Sequence, residues 1–499
     1  MALPRRFYSV FLLSVFAVLG AFFYFSRNDF SISNSPFPLT ELGTPFTTDS
    51  GEVVEPGVVD KPHGEDVADH KAQEESYKPP PEKQEEKPKE QPQEPKEDEH
   101  MDEHKHEQTH GQEEEYQKGR ETRIALVESG GSHDEVTAAF VHAFGSQPDT
   151  TLDLYLARQR YGIKEIINNF TLASSKSIGA IKQIRDFSVD VRDLPPPHIL
   201  ISTTCELDLL FEAAPYEDLL AKGQTFLFCV VHHADRWGPG RGAGIATRIQ
   251  PWVEKGLVDF ITLSPHTAQH LRTASIDKWT YNDNGILVRA FPPVFPVSVP
   301  DPGKFDIGQG LSLAMQGDYS AERRNYTSVF ERLESANKKV KDITEGKGTV
   351  DLHLIGHGNL PKVPDDVKKQ TIFDKGLSYY DYYSLLSKQF AVLPAFASDD
   401  YFDRKASSSV PAALISGAPL VASQKLLDAY TYLPKEAVWV SEKGESEMDV
   451  IERLIDNLDA YVSKRDATRK ACKDLIEGNK ELVRKWISEG LTKVSNLAH

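Results

Sequence analysis

From Thr122 to the C-terminus, short apolar runs alternate with stretches of helical period. The first half reads as strands at Arg123 to Val127, Leu152 to Leu156, His198 to Ser202, Phe226 to Val231 and Phe260 to Leu263, with helices at Val136 to Phe144 and Pro265 to Ala274. Strands without polar alternation, separated by helices, belong to a parallel sheet covered on both faces. A proline-rich joint, Phe291 to Pro302, interrupts the pattern, which then restarts. Strands are expected at Leu311 to Gln316, Val350 to Ile355, Phe390 to Pro394, Pro419 to Ala422 and Val438 to Val440. Helices are expected at Arg324 to Lys338, Tyr379 to Leu386, Ser408 to Ser416, Glu447 to Val462 and Thr468 to Ile487. The prediction is an α/β protein of two doubly wound, Rossmann-like domains, 122–297 and 298–499, whose strand ends face a common cleft.

The first 121 residues follow different rules. Phe7 to Phe25 carries no charge and is long enough to cross a bilayer as a helix. Arg5 and Arg6 precede it, whereas Asp29 offsets Arg27 after it, which leaves residues 1–6 in the cytosol and sends the rest across. Bulky Phe22 to Phe25 occupy the place of a small-residue cleavage site, so the expectation is an uncleaved signal anchor at 7–25. Residues 26–121 read as a disordered acidic stem rich in Pro, Glu, Lys and His, with too little apolar surface to offset its ordering entropy. The stem supplies much of the net charge of −18, so overall acidity says little about the folded surface. His100, His104, His106 and His110 read as solvated, because nothing there sets a coordination geometry. Three cysteines, Cys205, Cys229 and Cys472, make no disulfide scaffold, and Cys229 reads as a buried thiol. Asn169 and Asn325 head glycosylation triplets, and no basic stripe points to nucleic acid.

Four short motifs occur in a telling order. Leu263-Ser264-Pro265-His266-Thr267-Ala268 closes the first half, and Leu354-Ile355-Gly356-His357-Gly358 ends a strand of the second. Leu393-Pro394 follows, and then Ala413-Leu414-Ile415-Ser416-Gly417-Ala418-Pro419-Leu420-Val421-Ala422, a small-residue helix running through Gly-x-Pro into a strand. Together they resemble the two-domain GT-B glycosyltransferases of families 1 and 4, and the anchor and stem are similar to the layout of Golgi glycosyltransferases. The resemblance implies transfer of a sugar from a nucleotide sugar to a glycan, glycoprotein or lipid-linked acceptor, with no cofactor and no metal. It implies a type II protein of the Golgi or endoplasmic reticulum membrane. One departure is clear: where family 4 carries two glutamates eight positions apart, this chain has Arg404 and Ala412. A non-catalytic GT-B-like binding partner and a sugar-nucleotide epimerase are the alternatives.

A diphosphate leaving group needs positive charge and N–H donors. Candidate donor-side residues are Gly317, Arg323, Arg324, Gly356, Arg404, Lys405, Ser407, Ser408 and Ser409. Simple helix capping explains the serines equally well, and Arg323 and Arg324 can also be read as ordinary charges in a helix's first turn. His232, His233 and Asp235, after a buried strand, are the catalytic candidates. Gly130, Gly131 and His133, at the first strand-to-helix turn, are the acceptor-side candidates, with Asp134 and Glu135 beside them.

Overall fold

The strands of the first half are apolar on both faces because both faces are covered. In the computed structural model, β1 (Thr122–Glu128), β2 (Thr150–Leu156), β3 (Ile178–Gln183), β4 (Ile199–Ser202), β5 (Phe226–Val231), β6 (Val258–Thr262) and β7 (Val288–Ala290) form one sheet. Every pairing is parallel and the order is β3-β2-β1-β4-β5-β6-β7. β4, β5 and β6 are buried at every position. The described residues are 121–157, 162–170, 172, 177–239, 243–299 and 306–497. The expected cytosolic tail, anchor and stem lie outside them, and among the described residues no helix is long and apolar enough to cross a membrane.

β8 (Leu311–Gln316), β9 (Val350–Ile355), β10 (Thr371–Asp374), β11 (Ala391–Val392), β12 (Leu420–Ala422) and β13 (Val438–Val440) form a second parallel sheet, ordered β10-β9-β8-β11-β12-β13. Both orders reverse direction beside the first strand of their sheet, between β1 and β4 and between β8 and β11. Such a reversal opens a crevice at the strands' carboxyl ends, where ligands of doubly wound sheets bind. The turn after β8 passes so close to the end of β9 that a side chain at Gly356 would collide with the Gly317 carbonyl.

Helix Tyr461–Leu497 runs from the second half back onto the first sheet. Trp486 packs near Phe228 and Phe291, and Gly490 lets the helix approach Phe226, which would lie 2.8 Å from any Cβ there. Asp259, almost fully buried, is held between Arg289 at 2.7 Å and Lys493 at 3.0 Å, and Arg289 also reaches Glu489 at 2.6 Å. The described residues, from 121 to 497, belong to a single compact unit.

Three expectations need correction. The helix expected over Glu447 to Val462 stops at Ile455, because the Asn457 side chain accepts from Asp459 N–H and turns the chain; a new helix starts at Tyr461. Arg324 does not open a helix: Asn325 is the N-cap, accepting from Ser328 N–H, and the helix is Tyr326–Ile343. Cys229 is no thiol. The register pairs it with Ser202, and Cys205 just beyond sits 5.3 Å from it between Cα atoms, in a disulfide. Cys472 is the free cysteine among the described residues.

Candidate active site

The wall contributed by the first sheet is a glycine turn folded over two buried carboxyls. Glu128 ends β1 and accepts from Gly131 N–H at 2.6 Å, while Asp208 accepts from Ser129 N–H at 3.1 Å and from the Ser202 and Thr204 hydroxyls. Burial, with each carboxyl beside the other, raises Glu128 to about 7, and burial raises Asp208 to about 6. Gly131 takes a positive φ of 65°, and a Cβ on Gly130 would press at 3.1 Å on Glu128, Thr204 and Leu207. The turn delivers His133, whose ring stacks on that of His232 at 4.0 Å.

His232 is fixed from two sides. Its N–H donates to buried Glu206 at 2.9 Å, as does His233 N–H at 3.0 Å, and its Nε2 lies 2.8 Å from the Thr203 carbonyl. A carbonyl only accepts, so Nε2 carries a hydrogen. The His133 pKa is held well below the ordinary imidazole value by burial and then by His232, His233 and Arg323. It is a neutral base placed near the Arg323 cation. Helix Asp134–Gly145 begins immediately after it. Burial raises Asp134 to about 6, and raises Glu135, with Asp134 and Asp318 nearby, to about 7.

Across the crevice, Gly317 ends β8 with φ 127°. Arg323 pairs with Asp318 at 3.1 Å and reaches His133 electrostatically. Arg324 is buried beneath the turn: it donates to the Gln316 carbonyl at 2.8 Å and to Ser409 Oγ at 3.0 Å, and lies over Phe396 and Tyr401. Its Nε has no partner. Ser408 donates to Gln316 Oε1, Ser409 to the Gln316 carbonyl, and Ser407 Oγ accepts from Ser409 N–H, so none of these hydroxyls caps helix Ser409–Ser416 in the ordinary way. Arg404 binds Asp400 at 2.8 Å and approaches Asp235 of the opposite wall at 3.9 Å; Lys405 shares Asp400 at 3.4 Å. Helix Tyr379–Ser387 also spans to the first wall and brings Tyr379 beside Asp134. Asp134 Oδ2 and the Tyr382 and Tyr383 hydroxyls are buried without partners.

The expected residues therefore gather in three groups. Gly130, Gly131, His133, His232 and Arg323 meet at one place; Arg324 and Ser407 to Ser409 form the adjoining floor. Asp235, Arg404 and Lys405 form a cross-link at its side, and Gly356 serves the backbone beneath. Asn169 and Asn325 are both exposed. Glu128, Glu206 and Asp208 are outside the set expected from sequence: Glu128 carries a signal, an acidic residue closing an apolar strand, whereas Glu206 and Asp208 lie within the helix Cys205–Phe211 after β4 and carry none. A cavity of about 210 Å³ lies at the ends of β11 to β13, between the N-caps Asn325, Ser423 and Ser446. Glu447 on its wall accepts from Ala395 N–H and is raised to about 7 by burial.

Two parallel sheets with this strand order, opposed at their carboxyl ends, are the GT-B architecture. No family model matches the chain, and no curated protein matches it. Among solved structures it is similar to Anabaena HepE in complex with UDP-glucose, at 11% identity and a TM-score of 0.49, over 74% of this chain and 99% of that one. The lipopolysaccharide outer core galactosyltransferase WaaB gives 14% and 0.40, over 72% and 98%. A putative UDP-N-acetylglucosamine 2-epimerase from Listeria monocytogenes gives 13% and 0.39, over 70% and 91%. Likeness at this level of identity concerns the fold.

Proposed function

We propose that this chain is a glycosyltransferase that moves a sugar from a nucleotide sugar to a hydroxyl of a glycan, glycoprotein or lipid-linked acceptor. The observation that carries the reading is the opposition of His133, held neutral by burial and stacked on His232, to Arg323 and to a serine-rich helix start underlain by buried Arg324. Transfer forms a bond between the acceptor oxygen and the anomeric carbon and breaks the bond from that carbon to the diphosphate. The electron pair leaves with the diphosphate and the acceptor proton goes to an imidazole nitrogen. Arg323, Arg324 and the helix start oppose the growing negative charge, so the proposed reaction runs without a metal. The Cys205–Cys229 disulfide favours an oxidising compartment, which is in keeping with a lumenal folded region.

One observation favours a non-catalytic binding protein instead: Arg404 and Lys405, on the donor side, are already engaged by Asp400, with Asp235 also near Arg404. Titrating the full chain with UDP- and GDP-sugars by calorimetry separates the two. The transferase reading expects saturable binding of one nucleotide class, and product analysis of the bound donor with glycan acceptors then distinguishes transfer from epimerisation. Absence of binding across the panel overturns the reading.

A further inference from the structure

Ala395 holds a backbone conformation that its side chain disfavours. Four described residues other than glycine have a positive φ: Asp149, Asn284, Glu345 and Ala395. The first three are exposed, whereas Ala395, at φ 44°, is buried in the loop that follows β11. The left-handed region brings a Cβ close to the following carbonyl oxygen, so the surroundings must hold the residue there. The hold comes from Glu447. Both of its carboxyl oxygens lie within hydrogen-bond reach of Ala395 N–H, at 2.8 and 3.0 Å. A carboxyl keeps an accepting oxygen whether or not it is ionised, so the tie does not depend on its charge. Glu447 itself is firmly based. It is the first residue of helix Glu447–Ile455, where the Ser446 and Asp449 side chains cap each other's N–H. Arg332 and Lys339, of helix Tyr326–Ile343, bind Asp449 at 2.7 Å and Asp456 at 2.6 Å.

The segment turned in this way is the backbone partner of the proposed donor cations. The Ala395 carbonyl accepts from Asn325 N–H at 2.7 Å, and Ala397 N–H donates to the Arg323 carbonyl at 3.1 Å. Between these two contacts Arg324 and Phe396 form an antiparallel bridge, and the Arg324 guanidinium lies over the Phe396 ring. Residues 323–325 are thus paired with 395–397, and the direction of that segment is fixed at Ala395. We infer that Glu447 is a positioning residue: by holding Ala395 in the left-handed conformation it sets the 395–397 segment, and through it Arg323 and Arg324. It acts through the backbone, from the wall of the cavity at the ends of β11 to β13, and not on the reacting atoms. The inference rests on the transferase reading only for its consequence, the loss of nucleotide-sugar affinity when the tie is cut.

Hydrogen exchange of the full chain, read by mass spectrometry on peptides covering 321–328 and 393–399, tests the tie without any ligand. Glu447→Ala should lose protection about tenfold in both peptides, the scale of one hydrogen bond, while β4 to β6 keep theirs. Glycine takes a positive φ freely, so adding Ala395→Gly to Glu447→Ala should return about fivefold of that loss. Unchanged protection in Glu447→Ala overturns the assignment. A loss that spreads to β4 to β6, or that the glycine does not return, makes Glu447 an ordinary packing contact and overturns it as well. If Glu447→Ala does not fold, Ala395→Gly alone decides: protection of both peptides should rise about fivefold in the otherwise native chain, and equal or lower protection overturns the inference. Calorimetry with UDP- and GDP-sugars reads the consequence. Affinity should fall about tenfold in Glu447→Ala and recover in the double variant. The expected exchange pattern with unchanged affinity breaks the link to Arg323 and Arg324 and overturns the positioning role. The same pattern with no nucleotide sugar bound even by wild type overturns the transferase reading and leaves the tie standing.

Discussion

Single residues here differ in what they cost when removed, because some face the crevice and others are built beneath it. Arg323 is half-buried at the crevice, so Arg323→Ala should leave the melting temperature unchanged and weaken nucleotide-sugar binding about tenfold or more, read by calorimetry. Arg324 is buried, and Arg324→Ala strips the Gln316 carbonyl and Ser409 of a donor; it should cost stability in a thermal melt as well as affinity. His133→Ala or His232→Ala should lower turnover with donor affinity kept within about twofold, since an imidazole on the acceptor side acts in the reaction step. Glu128 gives a pH signature. Its carboxyl sits near 7 in the fold against 4.5 as a free side chain, so the folded chain binds the extra proton between those values. Stability from this group is present at low pH and falls as pH rises from about 5 to about 7. Glu128→Gln should flatten the dependence of melting temperature on pH in that window, and an unchanged slope would count against the buried carboxyl pair.

At the level of elements, the disulfide fastens the turn after β4 to β5 and so carries Glu206, which holds His232 and His233. The bond closes a loop of 24 positions, for which the entropy of an unfolded chain predicts a contribution of about 3 kcal/mol. The double variant Cys205→Ser, Cys229→Ser should lose about that much in denaturant unfolding, and the same variant should lower turnover by loosening the His232 loop. The edge strands explain where the hydrophobic pattern stops being readable. β3 is partly exposed along its length and β10 is buried only at Thr371, so neither presents the continuous apolar run that marks β4, β5 and β6.

The whole molecule is organised by its last helix. Helix Tyr461–Leu497 belongs by chain order to the second half but buries Trp486 and Ile487 against the first. Removing residues 461–497 should therefore expose the core of the first sheet and yield aggregated protein, measurable by light scattering, whereas an independent second half would survive the cut. Topology is testable on the same scale. If the 7–25 segment anchors the chain with its C-terminus in the lumen, Asn169 or Asn325 should gain a glycan in sealed microsomes and the folded region should resist added protease. Both asparagines are exposed, which glycosylation requires.

Apolar runs and their spacing were enough to read two successive parallel α/β halves, because a strand covered on both faces must be apolar at successive positions. β1, β5, β8 and β9 stood where those runs stood. Glycine and proline punctuation located Gly131, Gly317 and Gly356, whose backbone conformations or close approaches exclude side chains. Which distant residues meet was decided only by the tertiary structure. The pairing of Cys205 with Cys229 depends on parallel register. The stacking of His133 on His232 depends on β1 and β5 ending at the same edge of one sheet, and the contacts of His266 with the Lys405 and Ala429 carbonyls depend on how two sheet ends are brought together. Whether Arg324 is a surface charge or a buried strut depends on one helix starting at Tyr326 rather than two residues earlier. Local sequence sets the period of an element, but contacts between residues far apart along the chain are set by packing, where no local pattern records them.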